Sequence, residues 1–187
     1  MRNMRKPESE LTELIDSNIK GERLRLVPFS MEHLDDKYVS WLNDPNIVRY
    51  SNQRFQKHSV ESCKQYLKSF ENTSNRFWAI QKNNKGELLG TLTMYINVQH
   101  LTADIGILIG VSSSWGNGFG REAFGLAINF LLSTVKLRKV TAGTLAVNEG
   151  MIKVFKYCDM TLEATRKDQE LLDGKPVDIL YFSKFAA

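Results

Sequence analysis

Residues 112–123 read SSSWGNGFGREA, with Gly116, Gly118 and Gly120 inside five positions. Glycines let bare backbone amides approach a ligand closely. An apolar, strand-like run precedes the loop and a helical pattern follows it. That order sets unpaired N–H groups and the positive end of a helix dipole beside the loop. The chemistry this suits is binding a phosphate; the plain alternative is a flexible turn. A Walker loop needs Gly-Lys-Ser/Thr before the helix, and here Gly120 is followed by Arg121 and Glu122. That excludes it. A dinucleotide fingerprint drawn from Gly118, Gly120 and Ala123 wants an acid for the ribose about 20 residues later. No Asp or Glu stands between Glu122 and Glu149. Six basic residues lie from 121 to 156 (Arg121, Lys136, Arg138, Lys139, Lys153, Lys156) against Glu122 and Glu149 alone. This stretch suits a polyphosphate ligand, or is a solvated helix face.

Other reactive side chains are sparse. Cys63 and Cys158 stand apart, in no C-x-x-C or metal-ligand spacing, and His33, His58 and His100 do not cluster. No zinc or other metal site is expected. Cys158 has no His or acid beside it and reads as packing. His100 reads as an exposed loop histidine. The segment WLNDPNIVRYSNQRF (41–55) is dense in Trp41, Asn43, Asp44, Asn46, Arg49, Tyr50 and Arg54. These are side chains able to hold a small polar substrate, or else Trp41 and Tyr50 are core and Asp44 caps the Pro45 turn.

Positioning these residues requires an ordered set of elements. ERLRLVPF (22–29) alternates as a strand. Ser30 caps an expected helix over 31–44, ended near Pro45, and Ser59 opens a second helix. Strands follow at 76–81, 88–98 and 103–111, the last apolar on both faces and so central. The glycine loop leads into a helix over 121–135 with Phe124, Ala127, Ile128, Leu131 and Leu132 on one face. A strand (139–148), a short helix near 150–158 and a hairpin of strands near 160–170 and 177–185 complete the chain. Asp173-Gly174 is its turn. Seven strands and four helices in this order predict one α/β (mixed α+β) domain over 21–187. Its hairpins are antiparallel, with a parallel crossover around the helix after the glycine loop. Residues 1–20 form an extension whose Leu11, Leu14, Ile15 and Ile19 make a helical stripe.

The 187 residues are 42% hydrophobic and 25% charged, with 25 basic against 21 acidic side chains. A formal charge of +4 is too mild to point to nucleic acid. No run approaches the roughly 18 apolar residues of a membrane span, and the N-terminus lacks the apolar core of a signal peptide. A cytoplasmic protein with reduced thiols, and no membrane partner, is expected.

GILIGVSSSWGNGFGREAFGLAINFLL resembles the acetyl-CoA-binding motif of the GNAT N-acetyltransferases. The element order is similar to that fold over about residues 22–187. The opening GERLRLVPF, Trp115 in the loop, Asn148 after the next strand and the Asp173–Asp178 hairpin resemble the branch of ribosomal-protein N-terminal acetyltransferases (the RimJ/RimL type). WLNDP followed by an Arg/aromatic pair also looks like the family's acetyltransferases for nucleotide-linked amino sugars. The family loop commonly carries Gln or Arg where this chain has Trp115.

The resemblance implies a mostly antiparallel central sheet of about seven strands flanked by four helices. It implies that amides of Trp115, Gly116, Asn117, Gly118, Phe119, Gly120 and Arg121 hold the pyrophosphate. The strand edge at Ile109 and Val111 would pair with the pantetheine arm, and Asn148 and Lys153 would contact coenzyme A. Asn148 could equally be a helix cap. The implied base is Asp104, whose alternative is a strand-end residue satisfied locally. Where the family often has a tyrosine acid, this chain has Phe155, and Tyr157 lies about 200° further round a helix. Trp41, Arg49 and Tyr50 would face the acceptor, a small amine such as a nucleotide-linked amino sugar, or a protein N-terminus. The expected activity is direct attack of that amine on acetyl-CoA, by a monomer or homodimer. A non-catalytic acyl-CoA-binding protein is the alternative.

Overall fold

The computed structural model describes residues 17–187. The helical stripe expected at Leu11, Leu14 and Ile15 lies outside the described residues. Ile19 instead joins a two-residue strand, β1 (Ile19–Lys20). Then come β2 (Leu24–Pro28), helices α1 (Asp36–Asn43) and α2 (Val60–Lys68), and strands β3 (Arg76–Lys82), β4 (Leu88–Asn97) and β5 (Thr102–Ile109). After the glycine loop follow α3 (Phe119–Asn129), β6 (Lys139–Leu145), α4 (Glu149–Tyr157), β7 (Thr161–Leu172) and β8 (Lys175–Phe185). The strands form one eight-stranded sheet in the order β1-β2-β3-β4-β5-β6-β8-β7. β1 supplies the strand beyond the seven expected. Every neighbouring pair is antiparallel except β5 and β6, joined in parallel by the crossover through α3.

The expected helix over 31–44 starts later. Ser30 caps only a 3-10 turn, Met31–His33, because the Nδ1 of His33 accepts the Ser30 N–H at 3.0 Å and closes the turn locally. Asp35 then offers a second cap, accepting from the Tyr38 N–H at 2.8 Å, and α1 begins there. The segment 45–58, expected as loop, contains a 3-10 turn at Asn52–Phe55. The helix after the glycine loop ends in a π turn, Phe130–Thr134, which keeps Phe130, Leu131 and Leu132 all buried.

Alternation along the strands divides the core in two. On one face Leu92, Met94, Ile105, Val140, Ala142 and Phe182 pack with Trp78 beneath α3 and α4. On the other, Phe77, Ala79 and Phe29 pack beneath α1 and α2 with Tyr38, Trp41 and Cys63. Further along that second face, Asp104 and Gly143 are exposed. The face is therefore capped by helices at one end and open at the other.

Candidate functional site

The opening is made by strand pairing that stops early. β5 and β6 are joined only at Thr102–Lys139, Ala103–Val140 and Asp104–Thr141. Beyond Asp104 the strands part, while β5 stays paired to β4 as far as Ile109 and β6 to β8 as far as Leu145. Residues 105–109 and 142–145 thus form the two sides of a wedge. Asp104 stands at its apex, on the open face.

The Asp104 Oδ2 accepts the Thr141 hydroxyl at 2.6 Å. Although the residue keeps an exposed surface, the protein packed around its carboxyl pushes it above the usual range, and the Thr141 hydrogen bond only partly opposes this. Among the described residues no ion pair reaches Asp104; its partner is a neutral hydroxyl. A carboxylate so placed is costly to keep charged and ready to take a proton. Directly opposite it on β4 is Tyr95. Its phenol lies 3.3 Å from that of Tyr66, which α2 supplies.

At the wide end of the wedge lies the glycine loop. A 3-10 turn, Ser112–Ser114, turns the chain, and Gly116 and Gly118 take left-handed φ of 76° and 80°. Such angles strain any residue with a Cβ. Gly118 is the N-cap of α3, so no side chain caps the helix start. A Cβ on Gly118 would lie 3.4 Å from guanidinium nitrogens of both Arg23 and Arg121. Two cations thus flank uncapped helix amides, a setting for an anion. Arg23 also lies 4.6 Å from the Phe119 ring centre and donates to the Asn117 carbonyl at 3.0 Å. Arg121 lies 3.9 Å from the Tyr157 ring centre.

Glu122 anchors the loop to the sheet. Its carboxylate accepts the backbone N–H groups of Arg23 (2.8 Å) and Leu24 (3.1 Å) and the Arg23 Nε (2.8 Å). Burial pushes its carboxyl upward; the hydrogen bonds from Arg23 and Leu24 outweigh this and hold it below the ordinary range.

Other expected contacts fall differently. Trp115 is half-exposed and its indole N–H donates to the Ile109 carbonyl at 2.9 Å. The Val111 N–H donates to the Leu89 carbonyl at 3.3 Å. Both groups therefore already have partners within the chain. Asn148 caps α4, accepting from the Met151 N–H and donating to the Thr144 hydroxyl. Lys153 is exposed and faces Glu149 at 3.8 Å. Phe155 is fully buried between Phe124 and Phe182, with its side chain in the core. His100 lies exposed in the turn before β5. Cys158 is buried, its thiol pushed up to about 11 by that burial.

The basic run divides. Lys139 opens β6 at the strand end opposite the glycine loop and pairs with Glu163. Arg138, just before it, donates to the His100 carbonyl at 2.9 Å. Arg23 and Lys82 come to Phe119 by folding instead. Sequence counting missed them because Arg23, just before β2, and Lys82, at the end of β3, are distant from the loop in the chain.

Of the acceptor-side residues, Trp41 is only 5% exposed. Its indole packs so close to Gly110 that a Cβ there would come within 1.9 Å of it. Arg49 and Tyr50 are exposed beside each other. Arg49 faces Asp173 at 3.6 Å, and Arg54 reaches Glu170 (3.6 Å) and the Leu171 carbonyl (3.1 Å). The 49–54 loop therefore meets the tip of the β7–β8 hairpin. A surface recess of about 340 Å³ beside this loop is lined by Leu42, Pro45, Val48 and Arg54 and contains neither Asp104 nor the glycine loop.

The site is thus a parted parallel strand pair with a glycine loop and an uncapped helix start at its wide end. The model of the acetyltransferase (GNAT) domain matches residues 23–161, and the chain belongs to that family. It is 28% identical over 169 residues to the uncharacterized N-acetyltransferase p20 of Bacillus licheniformis, covering 87% of this chain and 92% of that protein. Among solved structures, the RimL ribosomal L7/L12 alpha-N-protein acetyltransferase in complex with coenzyme A has a TM-score of 0.79 at 17% identity. That match covers 90% of this chain and 98% of that one. The spermidine N-acetyltransferase from Vibrio cholerae, in complex with CoA and spermine, has a TM-score of 0.78 at 18% identity. It covers 89% of this chain and 97% of that one. At these identities the likeness to solved structures is one of fold.

Proposed function

We infer that this protein is an acetyl-CoA-dependent N-acetyltransferase acting on a primary amine by direct attack. The observation that carries this is the pairing of an uncapped, twice left-handed glycine loop with a protonatable carboxylate, Asp104, along one wedge. The pyrophosphate of acetyl-CoA would lie on the amides of Gly116 and of residues 118–121, between Arg23 and Arg121, since the Trp115 and Asn117 amides already donate to the Ser112 and Ser114 carbonyls. The pantetheine arm would run down the wedge, taking its hydrogen bonds from the unpaired edge within 105–109, since the Ile109 carbonyl is taken by Trp115. The thioester would then point toward Asp104.

Asp104 takes one proton from the acceptor's ammonium group. The freed nitrogen lone pair forms the C–N bond to the thioester carbonyl carbon. The C–S bond breaks with its electron pair going to sulfur. The second nitrogen proton ends on sulfur, and Asp104 returns its proton to water. Phe155, in the family's usual acid position, is buried in the core, so the thiolate leaves without a phenol at that point. That same residue motivates the second reading, an acyl-CoA-binding protein without turnover.

The relatives' names support an amine acceptor, small or at a protein N-terminus. Thiol release from acetyl-CoA over a panel of alkyl amines, nucleotide-linked amino sugars and peptides tests the proposal. Amine-dependent release is expected. Tight acetyl-CoA binding with no release for any acceptor would leave only the second reading standing.

A further inference from the structure

A row of aromatic rings runs from the helix-covered end of the second sheet face toward its open end. Phe29 packs on Phe77 (ring centres 4.5 Å apart), Phe77 on Phe70 (5.4 Å, stacked) and Phe70 on Tyr95 (6.3 Å, stacked). Tyr66 closes the side of this row against Phe70 and Phe77 and meets the Tyr95 phenol at 3.3 Å. The inner rings are core, whereas Tyr95, at the end of the row, is 49% exposed. It stands in register with Asp104, so the two side chains project side by side.

Among the described residues no cation forms an ion pair with Asp104, whose side-chain partner is the Thr141 hydroxyl. Other cations of the chain are already paired: Arg49 with Asp173, Arg54 with Glu170, Lys139 with Glu163 and Lys167 with Asp178. A ring held rigid at one side of an uncompensated carboxylate suits an alkyl ammonium group. The carboxylate attracts the charge, the ring face attracts it as well, and the ring also covers the carbon chain. An anionic acceptor would meet the Asp104 charge with nothing to offset it.

We propose that Tyr95, held in place by Tyr66 and backed by Phe70, is the specificity-determining platform on which a cationic alkyl amine lies before it reaches Asp104. The acceptor is then an aliphatic primary amine rather than a nucleotide-linked sugar or an acidic peptide. This rests on the acetyltransferase reading above, and the test separates the two.

Steady-state kinetics on the full chain with acetyl-CoA, using butylamine and diaminobutane as acceptors, provide that test. Tyr95→Ala should raise KM for both amines roughly tenfold, the scale of a partly desolvated cation–aromatic contact. KM for acetyl-CoA should stay unchanged. Tyr95→Phe, which keeps the ring and its stacking on Phe70 but loses the phenol contact with Tyr66, should raise the amine KM less than Tyr95→Ala does. Because Tyr95 is half-exposed, Tyr95→Leu supplies a folded control with an apolar but non-aromatic side chain; its thermal midpoint should match the wild type while its amine KM rises. Unchanged amine KM in Tyr95→Ala would overturn the proposal. Efficient acetylation of an amino sugar nucleotide or acidic peptide, with neither alkyl amine accepted, would overturn it and leave the acetyltransferase reading intact. No acetylation of any acceptor would overturn both.

Discussion

Replacing Glu122 with Gln tests whether one carboxylate holds the glycine loop to the sheet. In the native chain its two oxygens accept three hydrogen bonds, two from the backbone of β2 and its approach and one from the Arg23 Nε. The side chain is 15% exposed and that of Arg23 is 41% exposed. Gln keeps the shape but has one acceptor oxygen. If that oxygen takes the two backbone N–H groups, the new amide NH₂ faces the Arg23 Nε–H, donor against donor. One charge-assisted bond is lost, and the other two become neutral, from about 1.5–3 kcal/mol each to about 1 kcal/mol. Exposure of Arg23 discounts the sum, so a loss of about 2 kcal/mol is expected. For a chain of this size that lowers the thermal midpoint by about 4–8 °C.

The pH dependence has a definite sign. The folded Glu122 pKa lies below its unfolded value. Its contribution is therefore complete above the unfolded value, about 4.3, and fades as pH falls through the folded value. Urea unfolding of wild type and Glu122→Gln should show the full gap at neutral pH and a closing gap at acid pH. Because Arg23 also fixes the Asn117 carbonyl, the variant should bind acetyl-CoA more weakly. Equal stabilities at neutral pH, or a gap independent of pH, would refute this reasoning.

Three further outcomes are expected. Gly110→Ala should cost about 3 kcal/mol in urea unfolding, because its Cβ would fall within 1.9–2.5 Å of the Trp41 indole, and should cost less in a Trp41→Leu background. Asp104→Asn should lower kcat by about 100-fold or more and remove the acid limb of the pH–rate profile. Since burial raises the Asp104 pKa, its charged form opposes folding above that value, so the same variant should be as stable as wild type or more stable at neutral pH. Phe155→Tyr should cost about 1–3 kcal/mol in urea unfolding by burying a hydroxyl between Phe124 and Phe182. It should leave kcat no higher; a higher kcat would show that this position does reach the thiolate.

Much of the fold was legible because its signals are local. Periodicity marks the strands and α3, Asp173-Gly174 marks the last turn, and β5 reads as central because its residues are apolar on both faces. The parallel crossover followed from the helix after the glycine loop, and the β5–β6 pair is parallel. Boundaries slipped where two local signals compete, as Ser30 and Asp35 do at the start of α1. The candidate site was less legible because it is assembled across the chain. Arg23 comes to Gly118 from just before β2, Tyr66 comes to Tyr95 from α2, and Thr141 comes to Asp104 across the parallel β5–β6 pairing. Sequence showed Trp41 as a candidate for either a site or the core, and only packing against Gly110 put it in the core. The basic run looked continuous because residue counting ignores that β6 carries Lys139 to the far end of the sheet.

The most direct measurement is transfer of a labelled acetyl group from acetyl-CoA to an amine nitrogen, followed together with release of the coenzyme A thiol. The account predicts stoichiometric amide and thiol with the wild type, strongly reduced by Asp104→Asn at unchanged acetyl-CoA affinity. Thiol release without amide, or full transfer by Asp104→Asn, would contradict it.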